Sequence, residues 1–485
     1  MTAAASSKKI IGLILGPVLF ISVFLLLSGT PLSQKGVIIL ALAAWMVSWW
    51  VSEAAPIPVT ALLPMILFPL FSIATPREAA APYGDSIIFL FMGGFMIALA
   101  LEKHNLHQRI ALNLIRLTGT SGNGIIMGFM LATALISMWI SNTATAVMML
   151  PIATSVTTLL RKEVNQADHT KFERFATGLM LSIAYAASIG GIATIIGTPP
   201  NVVTVGFIKR FYNQDVSFAT WMLIGVPLML FILFACYTIL TQVLYRNNLK
   251  SIEGSSALIA SKLKELGSLS KEEKRVLAIF GITCFFWIFR QNLNTLIGKN
   301  LLDDTTIAMA GGILMFLTPI DLSNSKFILE WPDMKNLPWG ILLLFGGGLS
   351  LAQGMESAGL VELVGEQVAR QGTMSTTTIT FSLTAISMFL TEFMSNVALT
   401  TIFVPVVLGI ADGLQISPIL LAMPVSFAAS CAFMMPISTP PNAILFASGH
   451  IRVEQMIKAG ILLNLASLAL ITLAMITLGA WLYGP

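Results

Sequence analysis

The sequence predicts an all-α polytopic membrane protein with about eleven spans and two re-entrant hairpins, arranged as an inverted repeat. Three observations carry this. Apolar residues make up 56% of the 485-residue chain and charged residues 10%, with a mean hydropathy of +0.85. A soluble chain carries about 25% charged residues. Second, Phe91, Gly93, Gly94, Glu102, Leu106, Arg116, Ser141, Asn142, Ala144 and Pro151 recur 254 positions later as Phe345, Gly347, Gly348, Glu356, Leu360, Arg370, Ser395, Asn396, Ala398 and Pro405. Third, each copy then carries Thr-Pro-Pro-Asn, at Thr198–Asn201 and Thr439–Asn442, with the offset reduced to 241. The 13 missing residues match a charged loop near 161–174 that only the first copy has. Repeats with helix-breaking polar motifs at matching places are the mark of secondary transporters.

Spans are expected near 10–28, 36–52, 57–73 and 86–102, since about 20 apolar residues cross a bilayer. The first follows Lys8-Lys9 and could imitate a signal peptide, but Ser28-Gly29-Thr30-Pro31 is a poor cleavage site, so it is read as a span. Residues 103–117 place Ile110, Leu114 and Leu117 on one face, as in a helix lying along the membrane interface. The apolar block 125–158 is too short for two crossings and holds Ser141-Asn142-Thr143 at its middle. A re-entrant hairpin with a polar tip fits it better.

Block 175–208 is too long for one straight span and is interrupted at Gly197-Thr198-Pro199-Pro200. Consecutive prolines remove backbone donors and disfavour helix before them. Freed carbonyls at membrane depth need protein, ion or water to satisfy them. A span near 221–245 closes the first half, and 246–274 is a charged linker. The second half repeats the order, with spans near 276–290, 306–319 and 339–356, a hairpin at 377–410, a broken helix at 417–448 and a last span at 460–482. On this trace the hairpins enter from opposite faces, as alternating access requires.

With the N-terminus inside and the C-terminus outside, 20 of the 27 Lys and Arg fall on the inner side. That agrees with the positive-inside rule. Cys236, Cys284 and Cys431 lie singly in apolar segments and read as reduced packing residues. His104, His107, His169 and His450 fall in or beside polar connections, without the spacing of a zinc site.

The chemistry concentrates at the two Ser-Asn tips. Asn and Thr supply short donors and acceptors. Half-helix N-termini attract anions, while helix C-termini and unwound carbonyls suit a hard cation. One anionic substrate flanked by cations is therefore expected. Neither the hairpins nor the breaks contain Lys or Arg, so cations and helix dipoles must compensate a bound dianion. Glu392 pairs with Met138 in the repeat and so stands outside the shared machinery; it is either a functional ionisable group or structurally paired. Glu53 reads as a solvated helix end, and Glu102 and Glu356 as interfacial residues.

Ser141-Asn142-Thr143, Ser395-Asn396, both Thr-Pro-Pro-Asn breaks and Ser52-Glu53-Ala54-Ala55-Pro56-Ile57-Pro58 together resemble the divalent anion/sodium symporter family, which includes the INDY-type dicarboxylate and citrate transporters. The likeness covers essentially the whole chain. It implies an elevator-type homodimer. Residues 1–118 (spans 1–4 with the interfacial helix) and 275–372 (spans 7–9) would form the scaffold. Residues 119–245 (first hairpin, broken helix 5, span 6) and 373–485 (second hairpin, broken helix 10, span 11) would form the moving unit, with 246–274 as a cytoplasmic linker.

The resemblance also implies two sodium sites, one at Ser137, Ser141, Asn142 and Gly197, the other at Thr391, Met394, Asn396 and Ser438. Ser137 and Thr391 are themselves 254 apart. Substrate carboxylates would meet Ser141, Asn142, Thr143, Thr198 and Pro199 on one side, and Ser395, Asn396, Val397, Thr439 and Pro440 on the other. Val397 departs from the family's usual Thr, which removes a hydrogen bond.

The expected activity is sodium-coupled import of C4-dicarboxylates such as succinate, fumarate or malate across the cell membrane. A sodium-independent dicarboxylate exchanger, or citrate or sulfate as cargo, fits the same frame. No nucleic-acid partner is expected. Paired Ser-Asn tips without an adjacent base give no activated nucleophile, so an enzyme is not expected.

Overall fold

Residues 3–163, 169–249, 255–370 and 375–484 are described by the computed structural model, and most of them are helical. Polar caps set many of the helix starts. Ser33, Asp85, Ser121, Ser217, Ser270 and Ser375 each accept a hydrogen bond from a backbone N–H of the first turn. These caps satisfy donors that have no intrahelical partner.

Among the described residues, eight helices are long and apolar enough to cross a membrane, or nine if the bent pair Trp339–Ser357 and Leu360–Val368 counts as one span. Other predicted spans are shorter. The segment expected at 57–73 is two pieces, Ile57–Thr60 and Leu63–Leu70, and that expected at 306–319 is the 14-residue helix Asp304–Leu317. Beyond it lies a small antiparallel strand pair, Pro319–Asp321 with Lys326–Phe327, a departure from the all-α expectation. In the linker expected at 246–274, Ser255–Glu265 is helical and a further helix begins at Lys271.

Both hairpins are present as helix–turn–helix units. The first joins Gly122–Ser137 to Asn142–Glu163, the second Thr376–Leu390 to Asn396–Leu414. Their arms are unequal, and the second arm of each is long enough by itself to span a bilayer. An amphipathic helix, Leu106–Leu117, precedes the first hairpin. Its counterpart, Leu360–Ala369, follows a 68° bend at the same place in the second half. The spans expected from the sequence do not include it.

Arg109 fixes the first of these amphipathic helices. Its guanidinium donates to both carboxylate oxygens of Glu273 at 2.7 and 3.0 Å, and to the carbonyls of Leu266 and Gly267 at 2.9 Å. The linker helix is thus tied to the start of Lys271–Ile297. His107, expected in a solvated connection, is buried, with Nδ1 2.9 Å from the Leu101 carbonyl. It sits in the first turn of Leu106–Leu117, just after the left-handed backbone at Asn105.

Four contacts show how tightly the halves meet. The repeat-equivalent rings Phe91 and Phe345 touch edge to face, with centroids 4.9 Å apart. A Cβ on Gly93 would lie 2.4 Å from the carbonyl carbon of Ala308, and one on Gly347 would lie 2.1 Å from the Ala61 oxygen. No real side chain tolerates such approaches, so glycine at both places is a packing requirement. Trp139, in the turn of the first hairpin, stacks on Phe218, which stacks in turn on Trp287 at 4.5 Å.

Candidate substrate and cation site

The tips of both hairpins and both broken helices meet around one cavity of about 430 Å³. That lies within the range of small-molecule pockets, about 300–1,000 Å³. Ser141, Asn142, Thr143, Gly197, Thr198 and Pro199 line it from the first half. Met394, Ser395, Asn396, Val397, Ser438, Thr439 and Pro440 line it from the second. Trp50, Val51, Glu53, Ile57, Phe95 and Ile341 close the remaining wall. Glu53, read from sequence as a solvated helix end, is exposed but also belongs to this wall, because a left-handed backbone (φ 49°) turns the chain there. It is the one charged side chain among the lining residues described.

Each Asn stands at the first turn of a helix. The partial positive charge of that helix end therefore faces the cavity. Ser141 accepts a hydrogen bond from the Ala144 N–H at 3.2 Å, whereas the Ser395 side chain makes no such cap. The tips are thus similar in plan but not identical in what their hydroxyls have left to offer.

Ser137 and Thr391, placed in the sodium sites by resemblance, do not line the cavity. They are fully buried just behind the tips. Ser137 Oγ lies 2.7 Å from both Asn142 Oδ1 and the Ala187 carbonyl. Thr391 Oγ1 lies 2.8 Å from Asn396 Oδ1 and 2.7 Å from the Ala429 carbonyl. One hydroxyl proton cannot serve two acceptors. Each cluster therefore gathers more oxygen acceptors than donors, the donor chemistry a hard cation prefers. At the first cluster a Cβ on Gly191 would sit 2.8 Å from Asn142 Oδ1 and 3.1 Å from the Gly197 carbonyl oxygen. A side chain there would fill the space on which both oxygens converge.

The Thr-Pro-Pro-Asn motifs act differently from a simple break. Thr198 and Thr439 are extended N-cap residues, and the prolines occupy the first two positions of the following helices. The missing N–H groups are ones that no helix could have used there. Asn201 and Asn442 then staple the unwound stretch behind them. Asn201 Nδ2 donates to the Gly191 and Thr194 carbonyls at 3.0 and 2.8 Å, and Asn442 Nδ2 to those of Ala432 and Met435 at 2.9 and 3.1 Å. All four acceptors are 241 apart in pairs, so the repeat extends to the hydrogen bonds.

Glu392 breaks the symmetry. Its carboxylate is buried and accepts from the successive backbone N–H groups of Phe433, Met434 and Met435 at 2.8–3.1 Å. Ser438 Oγ and Asn464 Nδ2 add bonds of 2.9 and 2.8 Å. Among the described residues every hydrogen-bonding neighbour of the carboxylate donates, and none is a cation. The side chain therefore shapes the unwound segment that carries Ser438, rather than facing the cavity itself.

A family model described as the sodium:sulfate symporter transmembrane region matches residues 7–484. The chain belongs to the sodium:sulfate symporter family. It is accordingly a membrane transporter with sodium as its coupling ion, not an enzyme. Among similar proteins is the sodium-dependent dicarboxylate transporter SdcS of Staphylococcus saprophyticus, 42% identical over 472 residues, covering 96% of this chain and 90% of the relative. SdcS of Staphylococcus aureus is 41% identical over 474 residues, covering 96% and 91%. Among solved structures, the YdaH transporter of Alcanivorax borkumensis matches with a TM-score of 0.59 at 13% identity, over 93% of this chain and 100% of that one. The last likeness concerns the fold alone. The divalent-anion symporter motifs read from the sequence are thus matched by a whole-chain family assignment.

Proposed function

We propose that this symporter imports C4-dicarboxylates such as succinate, fumarate and malate, driven by sodium, through an elevator movement in a homodimer of the cell membrane. One observation carries the reading. Two Asn-bearing helix starts bracket a single cavity whose wall offers amides, hydroxyls and helix dipoles but no cationic side chain. A dicarboxylate has two anionic ends to match two such tips, and its charge needs bound cations for compensation. The oxygen clusters behind Asn142 and Asn396 supply places for them. The names of the relatives support the same cargo class.

We take the structure as inward-open, on the orientation inferred from the charge distribution. Trp50, Val51, Glu53 and Ile341 come from helix ends assigned to the inner side, and they rim the cavity. Residues 1–118 and 275–372 would stay fixed while 119–245 and 373–485 carry the site across. The contact between the repeat-equivalent residues Phe91 and Phe345 fits a two-fold relation between the halves, with these rings beside its axis.

Uptake of labelled succinate into proteoliposomes tests the function. Sodium-dependent uptake into empty vesicles is expected under an inward sodium gradient, with none under an equal potassium gradient. Uptake that ignores sodium and needs internal dicarboxylate would make the protein an exchanger.

Val397 tests the cargo geometry. It stands where the first half has Thr143, and both line the cavity. Val397→Thr restores a hydroxyl whose hydrogen bond is worth about 0.5–1.5 kcal/mol. The KM for succinate is expected to fall roughly two- to ten-fold, a range that follows from that energy. An unchanged or higher KM would place the second carboxylate away from this position.

A further inference from the structure

We infer that Arg290, Asp215 and Asp304 form a latch on the outer face that holds the carrier inward-open. This rests on the elevator reading above. Arg290 is buried near the outer end of Lys271–Ile297, in the proposed scaffold. Its guanidinium donates to Asp215, in the connection between Pro199–Tyr212 and Phe218–Thr238, which belongs to the proposed moving unit. It also pairs with Asp304 Oδ1 at 3.4 Å, at the start of Asp304–Leu317 in the scaffold.

Asp304 reaches across the same boundary. Its other oxygen accepts the backbone N–H of Phe218 at 2.9 Å, while the Phe218 ring lies parallel to that of Trp287. Trp287 Nε1 in turn donates to the Asp304 carbonyl at 3.1 Å. One moving segment, 215–218, is thus held by an ion pair, a charge-assisted hydrogen bond and a ring stack, all to scaffold residues.

The place of this cluster gives it its function. The substrate cavity is rimmed by inner helix ends, whereas Arg290 and Asp215 fall on the outer side of the same trace. An elevator displacement slides the moving unit along the scaffold, so contacts that cross this boundary at the outer face cannot survive it. They are made in one end state and broken in the other. Such contacts shift a two-state equilibrium by their differential energy. None of the three residues lines the substrate cavity, so the latch acts on populations and not on binding.

Vectorial labelling tests it. Ile437 lines the cavity and is 78% exposed, so Ile437→Cys reports which face the site opens to. Right-side-out and inside-out vesicles in potassium buffer are treated with a membrane-impermeant maleimide. The chain without Ile437→Cys is the control for Cys236, Cys284 and Cys431. In the unaltered latch, labelling from the inner side dominates. Asp215 is exposed, so its substitution opens no core cavity, and size-exclusion profiles identify the folded variants. Asp215→Asn is expected to speed outer labelling about two- to five-fold, the worth of a partly exposed ion pair. Asp215→Lys, which opposes Arg290 with a like charge, and Arg290→Ala are each expected to speed it further.

Outer labelling unchanged in folded Asp215→Lys would overturn the latch. Inner labelling absent from the unaltered latch would instead overturn the inward-open reading on which it rests, a separate outcome read from the control arm. Sodium-driven uptake, measured on the chain without Ile437→Cys, reports independently on the function.

Discussion

Asn142→Ala and Asn396→Ala are each expected to abolish sodium-driven uptake while leaving a folded, monodisperse protein. On the proposed reading each side chain serves two sites at once. Its amide stands in the cavity wall at a helix start, and its Oδ1 belongs to an oxygen cluster with Ser137 or Thr391. Losing a hydrogen bond to a charged group costs about 1.5–3 kcal/mol. Loss at both the cargo and the cation places the fall in kcat/KM at roughly 100-fold or more, from two such terms. Initial rates at saturating sodium, compared with size-exclusion profiles, measure it. Wild-type transport in either variant would remove that Asn from the site. Because both residues are half-buried at turns, the substitution opens no large core cavity, and a loss of activity reads as chemistry.

The second large effect belongs to Glu392. Glu392→Ala leaves the N–H groups of Phe433, Met434 and Met435 and the amide of Asn464 without their acceptor, all of them at or near membrane depth. Unsatisfied buried donors cost about 1–3 kcal/mol each, and the sum is not additive, so a loss of about 3–5 kcal/mol is expected. Thermal unfolding in detergent checks this. Glu392→Gln keeps the shape but replaces one acceptor oxygen with a donor, and is expected to fall between Glu392→Ala and the parent. Equal melting of Glu392→Ala and the parent would show that the segment holds its form without the carboxylate. A retained fold with a raised sodium requirement would place its effect on the second cation cluster, through Ser438.

Much of the site was legible because it is written twice. The Ser-Asn tips and Thr-Pro-Pro-Asn starts are short, local and repeated, and the structure brings them to one cavity. The repeat also held the signal for Leu360–Ala369, since Leu106 and Arg116 have counterparts in Leu360 and Arg370. Hydropathy alone hid it, because a ten-residue amphipathic helix resembles a connection. Glu53 and Trp50 reach the cavity only through packing of distant segments, which no periodicity reveals.

Asn201 and Asn442 sat in view within a recognised motif, yet their partners lie 7 and 10 residues back, across a stretch with no regular structure. Glu392 was visible as an acid in apolar sequence, but its acceptor role needs the coil of 433–438, which sequence does not specify. Gly191 stands out as half of a Gly-Gly pair, and only the convergence of two oxygens on it explains why a side chain is excluded.

The nest around Glu392 has a mechanical meaning. One side chain from the turn of the second hairpin holds three successive N–H groups of the unwound stretch and the Asn464 amide, so three separate segments are tied at a single point. The first half has Met138 at the matching place, whose thioether offers no comparable acceptor. The second tip is thereby braced more firmly than the first, and the two ends of the cavity rest on supports of unequal stiffness.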